Sequence, residues 1–429
     1  MKASTRSEVK AAAAAIFAVS LVWAGGGSAG QVTAEPETPP GKAGRTGPLA
    51  KLPSPPGPHV ARIQALGDEA WLDLGRPKPD PKWGQSRGRA WCAHMDYAGE
   101  LRGAFHTGEG VHAFVKPDGH YMDDFFFYDI NAHAWICVYG GAKAGDDQGF
   151  KIDPDGFFVN RPGDAIPVGL LAHNYEQVAY DPHRHKLAFI PKGGASGWWC
   201  KMKLHQVKKL APEANRRMKG KAFSPWFLDA TTGKFQREII SSPGPISTAG
   251  GGAFVYLVGS RKFFLRDPGR GRNWLYDPHK RTWARAADCP KRPIGGDTLC
   301  CYDSKRNRVL LAGGNAKGAD GLLAYLPGED KWLDLQPKGG GRPCTGNWGS
   351  LTYDSANDVL VLARRGQGLF IYDPRTNAWL NDKPKAGPGV LARGTASAFY
   401  DPVNNVHYFY RASDSRTNST MWVYRYKRR

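Results

Sequence analysis

The sequence predicts an all-β fold, a single propeller of six, alternatively seven, four-stranded blades, and three observations predict it. An eight-residue pattern that opens on Tyr-Asp and closes on Trp recurs along the chain. The 429 residues include 53 Gly, 32 Pro and 14 Trp, a composition of turns and aromatic strands, with no long run rich in Ala, Leu, Glu and Lys after the N-terminal region. The two ends are complementary, since the last unit stops one strand short and an unpaired strand opens the first ordered segment.

The N-terminus reads as an export signal. Lys2, Arg6 and Lys10 precede an uncharged stretch at 11–24, and small residues follow. Cleavage is expected after Ala34 or, as the second choice, near Gly30. The apolar run is shorter than the roughly 20 residues of a spanning helix, so no membrane span is expected after cleavage. No Cys near the junction offers a lipid acceptor. The expected location is secreted, periplasmic or cell-surface. Residues 35–69, rich in Pro, Gly and Thr, read as a linker, which leaves 70–429 for the propeller.

The repeated pattern stands as YDINAHAW (128–135), YDPHKRTW (276–283), YLPGEDKW (325–332) and YDPRTNAW (372–379), and LDATTGKF (228–235) fits with substitutions. Self-similarity on this scale signals stacked supersecondary units. Physically each is a hairpin: an apolar strand ends at Tyr, Asp accepts backbone hydrogen bonds in the turn, and the next strand opens on an aromatic. Two residues before each marker stands a large apolar side chain, Phe126, Trp226, Trp274, Leu323, Phe370 or Trp422. The period of two places it on the Tyr face. A second hairpin precedes the first in most units: VAYDPHRHKLAFI from Val178, CCYDSKRNRVLLAGG from Cys300, LTYDSANDVLVLA from Leu351 and AFYDPVNNVHYFY from Ala398. Two hairpins in succession make a four-stranded antiparallel blade. Markers at 128, 228, 276, 325, 372 and 424 count six blades, and the wide first gap holds either two insertions or a degenerate seventh. At the C-terminus MWVYRY, from Met421, is a third strand without a fourth. AWLDLG, from Ala70, is a stray strand that would complete that blade and remove both exposed edges.

The unit VLLAGGNAKGADGLLAYLPGEDKWLDL (309–335) resembles a kelch repeat in its apolar strand, Gly-Gly doublet, strand ending in Tyr and spaced Trp. The chain from about residue 70 onward is also similar to the propeller domain of galactose oxidase, whose blades are of this type. The resemblance implies a propeller and a binding or carbohydrate-active role. The copper-ligand set of galactose oxidase has no residue-by-residue match here, so its activity is not carried over.

The formal charge is +20, from 59 Lys and Arg against 39 Asp and Glu. So strong a bias favours an anionic partner, and export moves the expectation from nucleic acid to a polysaccharide or an anionic surface polymer, with a protein partner as a further option. A monomer is expected. The seven Cys, at 92, 137, 200, 289, 300, 301 and 344, form no metal-knuckle spacing. Cys300 and Cys301, adjacent in a strand, should point to opposite faces.

The Tyr-Asp turns all fall on one side, so the irregular insertions at 111–123, 140–172 and 191–224 project on the other, where function is expected. The insertion at 200–221 carries Lys208, Lys209, Arg216 and Arg217 in a basic run that either grips an anionic polymer or is a solvated loop. Trp198 and Trp199 lie outside the repeat register. Tyr175, Asp297 and Trp348 stand five residues before a Tyr-Asp tyrosine, at the start of innermost strands, and with Arg393 would line the channel mouth and bind sugar rings and hydroxyls. His94, His106, His112, His120 and His173, with Asp123 and Asp124, match no metal motif, so no metal and no cofactor are implied. The functional reading is a non-catalytic binding propeller. The alternatives are a carbohydrate-active enzyme, with chemistry around Asp297, His173 and Tyr175, and a structural propeller that assembles with proteins.

Overall fold

The computed structural model describes residues 44–89, 94–107, 124–141, 146–159, 177–190, 205–219, 225–238, 240, 242–245, 252–267, 272–289, 299–313, 321–339, 349–364, 368–381, 387, 396–412 and 419–428. Six four-stranded antiparallel sheets form a propeller. Blade 1 consists of Asp96–Ala98, Gly103–His106, Phe125–Asp129 and Ala134–Tyr139, and blade 2 of Val178–Asp181, Lys186–Phe189, Trp226–Asp229 and Phe235–Arg237. Blade 3 is Ala253–Leu257, Lys262–Arg266, Asn273–Asp277 and Thr282–Ala286; blade 4 is Leu299–Asp303, Arg308–Gly313, Gly321–Leu326 and Lys331–Asp334. Blade 5 is Gly349–Asp354, Val359–Arg364, Gly368–Asp373 and Ala378–Trp379. Blade 6 takes Ser397–Asp401, Val406–Arg411 and Thr420–Arg425, and its outer strand is the N-terminal Ala70–Gly75, with Trp71 opposite Tyr424 and Asp73 opposite Trp422. The first-named strand of each blade is innermost, and blades 6 and 1 meet where Met95 donates its N–H to the Ala398 carbonyl at 2.8 Å. The wide gap between the first two markers holds no seventh blade among the described residues. It contains the hairpin Lys151–Ile152 with Phe158–Val159 and the helix α2, His205–Met218.

Strand alternation divides each blade between two neighbours. Phe126 and Tyr128 pack toward blade 6, whereas Phe125 and Phe127 pack toward blade 2. Trp274 and Tyr276 join the seam with blade 2, and Leu275 the seam with blade 4. The core is thus a set of seams, one between each pair of blades, as period-two patterning on a sheet covered on both faces requires. Cys300 and Cys301 follow the same rule, in the blade 3/4 and blade 4/5 seams respectively.

The Tyr-Asp turns share one backbone. The Asp carboxylate accepts turn N–H groups, as when Asp129 Oδ1 takes those of Asn131 and Ala132 at 2.9 and 3.1 Å and Asp354 Oδ1 those of Ala356 and Asn357 at 3.0 and 2.9 Å. Five residues after the Tyr the backbone is left-handed, with φ 50° at His133, 49° at Asn307, 47° at Asp330, 56° at Asp358, 50° at Asn377 and 53° at Asn405. That conformation costs an L-residue about 1–2 kcal/mol, least for short polar side chains. The same side chain recovers part of it by bonding the Tyr hydroxyl: Tyr302 to Asn307 at 2.7 Å, Tyr325 to Asp330 at 2.7 Å, Tyr353 to Asp358 at 2.9 Å, Tyr372 to Asn377 at 2.8 Å and Tyr400 to Asn405 at 2.9 Å. In blade 2 Leu228 has no hydroxyl, and the left-handed position is Gly233 at φ 70°.

The described part of the expected linker, 44–69, is not a free tether. Leu49, Leu52, Val60 and Ile63 are buried, Thr46 donates its N–H to the Thr231 carbonyl and Gly57 its N–H to the Asn131 carbonyl, at 2.8 Å each. The helix α1, Pro58–Ala65, ends on blade 6, where the Arg425 guanidinium donates to the carbonyls of Ile63, Gln64 and Leu66. These carbonyls lie at the helix end, where backbone partners run out, and among the described residues only that of Ile63 also accepts a backbone N–H there, from Leu66 at 3.1 Å.

Candidate functional site

The connection between the second and third strands of blade 2 leaves the propeller on the side opposite the Tyr-Asp turns, and it carries α2. The sequence reading of a basic loop is corrected here: residues 205–218 are helical. Val207, Ala211 and Ala214 are buried in the seam between blades 1 and 2, and Leu210 packs against it, a spacing that makes one apolar stripe. This docking sustains the helix through Pro212, whose missing N–H leaves the Lys208 carbonyl without its intrahelical donor. The helix is braced at its C-terminal end by Arg217, which donates to the Asp153 carbonyl at 2.8 Å, and Asp153 accepts from Arg237 at 2.7 Å.

The opposite side of α2 is cationic, but its charges are not equivalent. Arg216 and Arg217 both pair with Glu213, at 2.6 and 2.7 Å, and these hydrogen bonds pull the Glu213 carboxyl down to about 2. Lys208 and Lys209 are exposed and have no ion-pair partner among the described residues. Of the four basic residues singled out on this insertion, these two are free to meet a ligand.

Near the start of the innermost strand of blade 1, His94 lies 3.3 Å from the Asp96 carboxylate and 3.1 Å from the Val178 carbonyl, and both side chains are partly exposed. Deeper in the seam of blades 6 and 1, His106 bonds Ser86 Oγ at 2.8 Å and Ser397 Oγ at 3.1 Å, and Arg89 pairs with Asp124 at 2.5 Å. Burial, with Arg89 and His94 nearby, drives the His106 imidazole well below its ordinary value, so the ring is neutral and spends one nitrogen on Ser86 of the segment before blade 1 and the other on Ser397 of blade 6. Ser86 and His106 are 0% exposed and Ser397 1%, so the Ser–His–Ser array meets no solvent and serves as a brace. No group of three His, Cys, Asp or Glu side chains that could hold a metal occurs among the described residues.

Tyr175, Trp198, Trp199, Asp297, Trp348 and Arg393 lie outside the described residues, as do His112, His120, His173 and Asp123. The structure therefore brings together Lys208, Lys209, Arg216 and Arg217 on one helix. What sequence reasoning missed is the dock beneath them: the i, i+3, i+4, i+7 spacing of Val207, Leu210, Ala211 and Ala214 carried that signal. No helix among the described residues is long and apolar enough to cross a membrane. No protein-family model matches the chain, and no curated protein matches it either.

Proposed function

We propose that this chain is an exported kelch-type propeller that binds an acidic polysaccharide of a surface or matrix through the side bearing the long insertions. The observation that carries it is the pair Lys208 and Lys209, exposed and unpaired on a helix whose other face is fixed in the seam of blades 1 and 2. A rigid platform presents charge without the ordering cost of a mobile loop, and a chain with formal charge +20 gathers polyanions from solution. Tyr175, Trp198, Trp199, Asp297, Trp348 and Arg393 are proposed to supply stacking faces and hydroxyl contacts on the same side.

The test is equilibrium binding to heparin and to polyglucuronate across a salt series. Replacing Lys208 and Lys209 with Gln should weaken binding about threefold to tenfold at low salt, with the gap closing as salt rises. Unchanged affinity in a folded variant at low salt would remove α2 from the site. Capture of a protein but of neither polysaccharide would replace the ligand class.

A further inference from the structure

The turn face carries a second cationic feature, at the tip of blade 3. Both hairpin turns of this blade place an arginine at the left-handed position, Arg261 and Arg281, each with φ 54°. At most other turns that position is occupied by a residue whose side chain has a local task. Asn307, Asp330, Asp358, Asn377 and Asn405 hold a Tyr hydroxyl, and Arg102, also left-handed at φ 53°, pairs with Asp401 at 2.7 Å across the blade 1/6 seam.

Arg261 and Arg281 have no such task. Both are exposed, and neither makes a hydrogen bond or ion pair through its side chain among the described residues. The phenols they would have answered are held from blade 2 instead. Tyr256 meets His183 Nδ1 at 2.8 Å, and Tyr276 donates to Glu238, which Arg184 fixes at 2.8 Å. Blade 2 thereby frees both positions from locking their turns. What stands there is still a long cation in a backbone that favours Asn. Lys280, beside Arg281, is likewise exposed and unpaired, and the acid of that turn, Asp277, is engaged by the N–H groups of His279 and Lys280 at 3.0 Å.

We propose that Arg261, Lys280 and Arg281 form an oxyanion-docking patch that takes sulfate or carboxylate groups of an acidic polysaccharide. The two turns join the first to the second and the third to the fourth strand at one end of a single sheet. Their centres are two strand spacings apart, about 10 Å. Each guanidinium offers the planar fork that suits a bidentate oxyanion. Binding of single-stranded nucleic acid would call for an exposed stacking ring, and the aromatics of this blade end, Tyr256, Tyr276 and Trp283, are at most 6% exposed. The patch lies on the opposite side of the propeller from α2 and stands without it.

The test uses the full chain with heparin, polyglucuronate and single-stranded DNA as probes. Arg261→Asn with Arg281→Asn should weaken polysaccharide binding about tenfold at low salt while leaving Tm unchanged or raised, because Asn suits the left-handed turn. Lys280→Glu, outside the strained position, should act in the same direction. Lys208→Gln with Lys209→Gln reports the other side, and combining both sets should multiply the two losses if the patches are independent. Wild-type affinity in the folded Arg261→Asn, Arg281→Asn variant, a lowered Tm in that variant, or tighter binding to the DNA than to either polysaccharide would overturn the proposal.

Discussion

In blade 5 the residue five positions after each Tyr, Asp358 or Asn377, turns back to hold the tyrosine hydroxyl at 2.9 or 2.8 Å, whereas in blade 3 the equivalent Arg261 and Arg281 keep the same left-handed backbone with side chains in solvent. The difference separates two demands that a repeat usually meets with one residue. The hairpin dictates the backbone, and does so even where Leu257 or Leu326 stands in place of the Asp that elsewhere gathers turn N–H groups. The side chain is a separate matter: where blade 2 holds the phenol, as it does for Tyr256 and Tyr276, the left-handed residue need not. A seam contact such as Tyr276 to Glu238 therefore releases Arg281, five residues on in the same hairpin, for other work.

The comparison can be broken most severely at Asp358. Arg306 grips it at 2.6 and 2.9 Å, Lys305 at 2.9 Å and Tyr353 at 2.9 Å. Asp358→Ala should lower unfolding free energy by about 2–3 kcal/mol in urea titrations, a figure kept down by the partial exposure of Arg306. Burial alone would raise the Asp358 carboxyl, but Arg306, Lys305 and Tyr353 outweigh it and hold it well below the usual range. A depressed folded value means that the unfolded chain binds more protons. The contribution is complete above the ordinary carboxyl value of about 4 and is lost as pH falls through the folded one. Wild type and Asp358→Ala should converge in acid, and a constant difference down to pH 2 would contradict this.

A smaller effect belongs to blade 1, where burial, with His59 adding to it, lowers the His133 imidazole to about 4. Here the unfolded chain binds the extra proton between about pH 6.5 and 4, so stability is full above that window and declines on acidification through it. His133→Asn keeps a short acceptor for Tyr128 at the left-handed site and should flatten the decline by about 1 kcal/mol in thermal melts across this range. The smallest effect has the opposite sign. Arg281→Asn should stabilise blade 3 by about 0.5–1 kcal/mol, read as a rise in Tm.

Much of the blade order was legible because alternation and the Tyr-to-Trp spacing are local. Trp71 could be matched to the unpaired strand near Met421 because an open edge is conspicuous in a sequence of paired strands. The helix α2 was not read, since its basic residues and Pro212 hid the stripe of Val207, Ala211 and Ala214. The strap at 44–69 was not read either: Thr46 and Gly57 are held by backbone groups, which no side-chain pattern announces. Within the candidate site, sequence identified the cations of α2 but not which were already spent on Glu213. The turn arginines were passed over because their freedom depends on His183 and Glu238, residues of another blade. Tyr175, Trp198, Trp199, Asp297, Trp348 and Arg393, where reading placed the stacking and hydroxyl contacts, lie outside the described residues.

The most direct test of the separation between locked and released turns is a pair of double-mutant cycles on unfolding free energy. Tyr353→Phe with Asp358→Ala should show a coupling of about 1 kcal/mol in blade 5, and Tyr276→Phe with Arg281→Ala in blade 3 a coupling near zero. Equal couplings in the two blades would mean that Arg281 locks its turn as Asp358 does, and that blade 3 has released nothing.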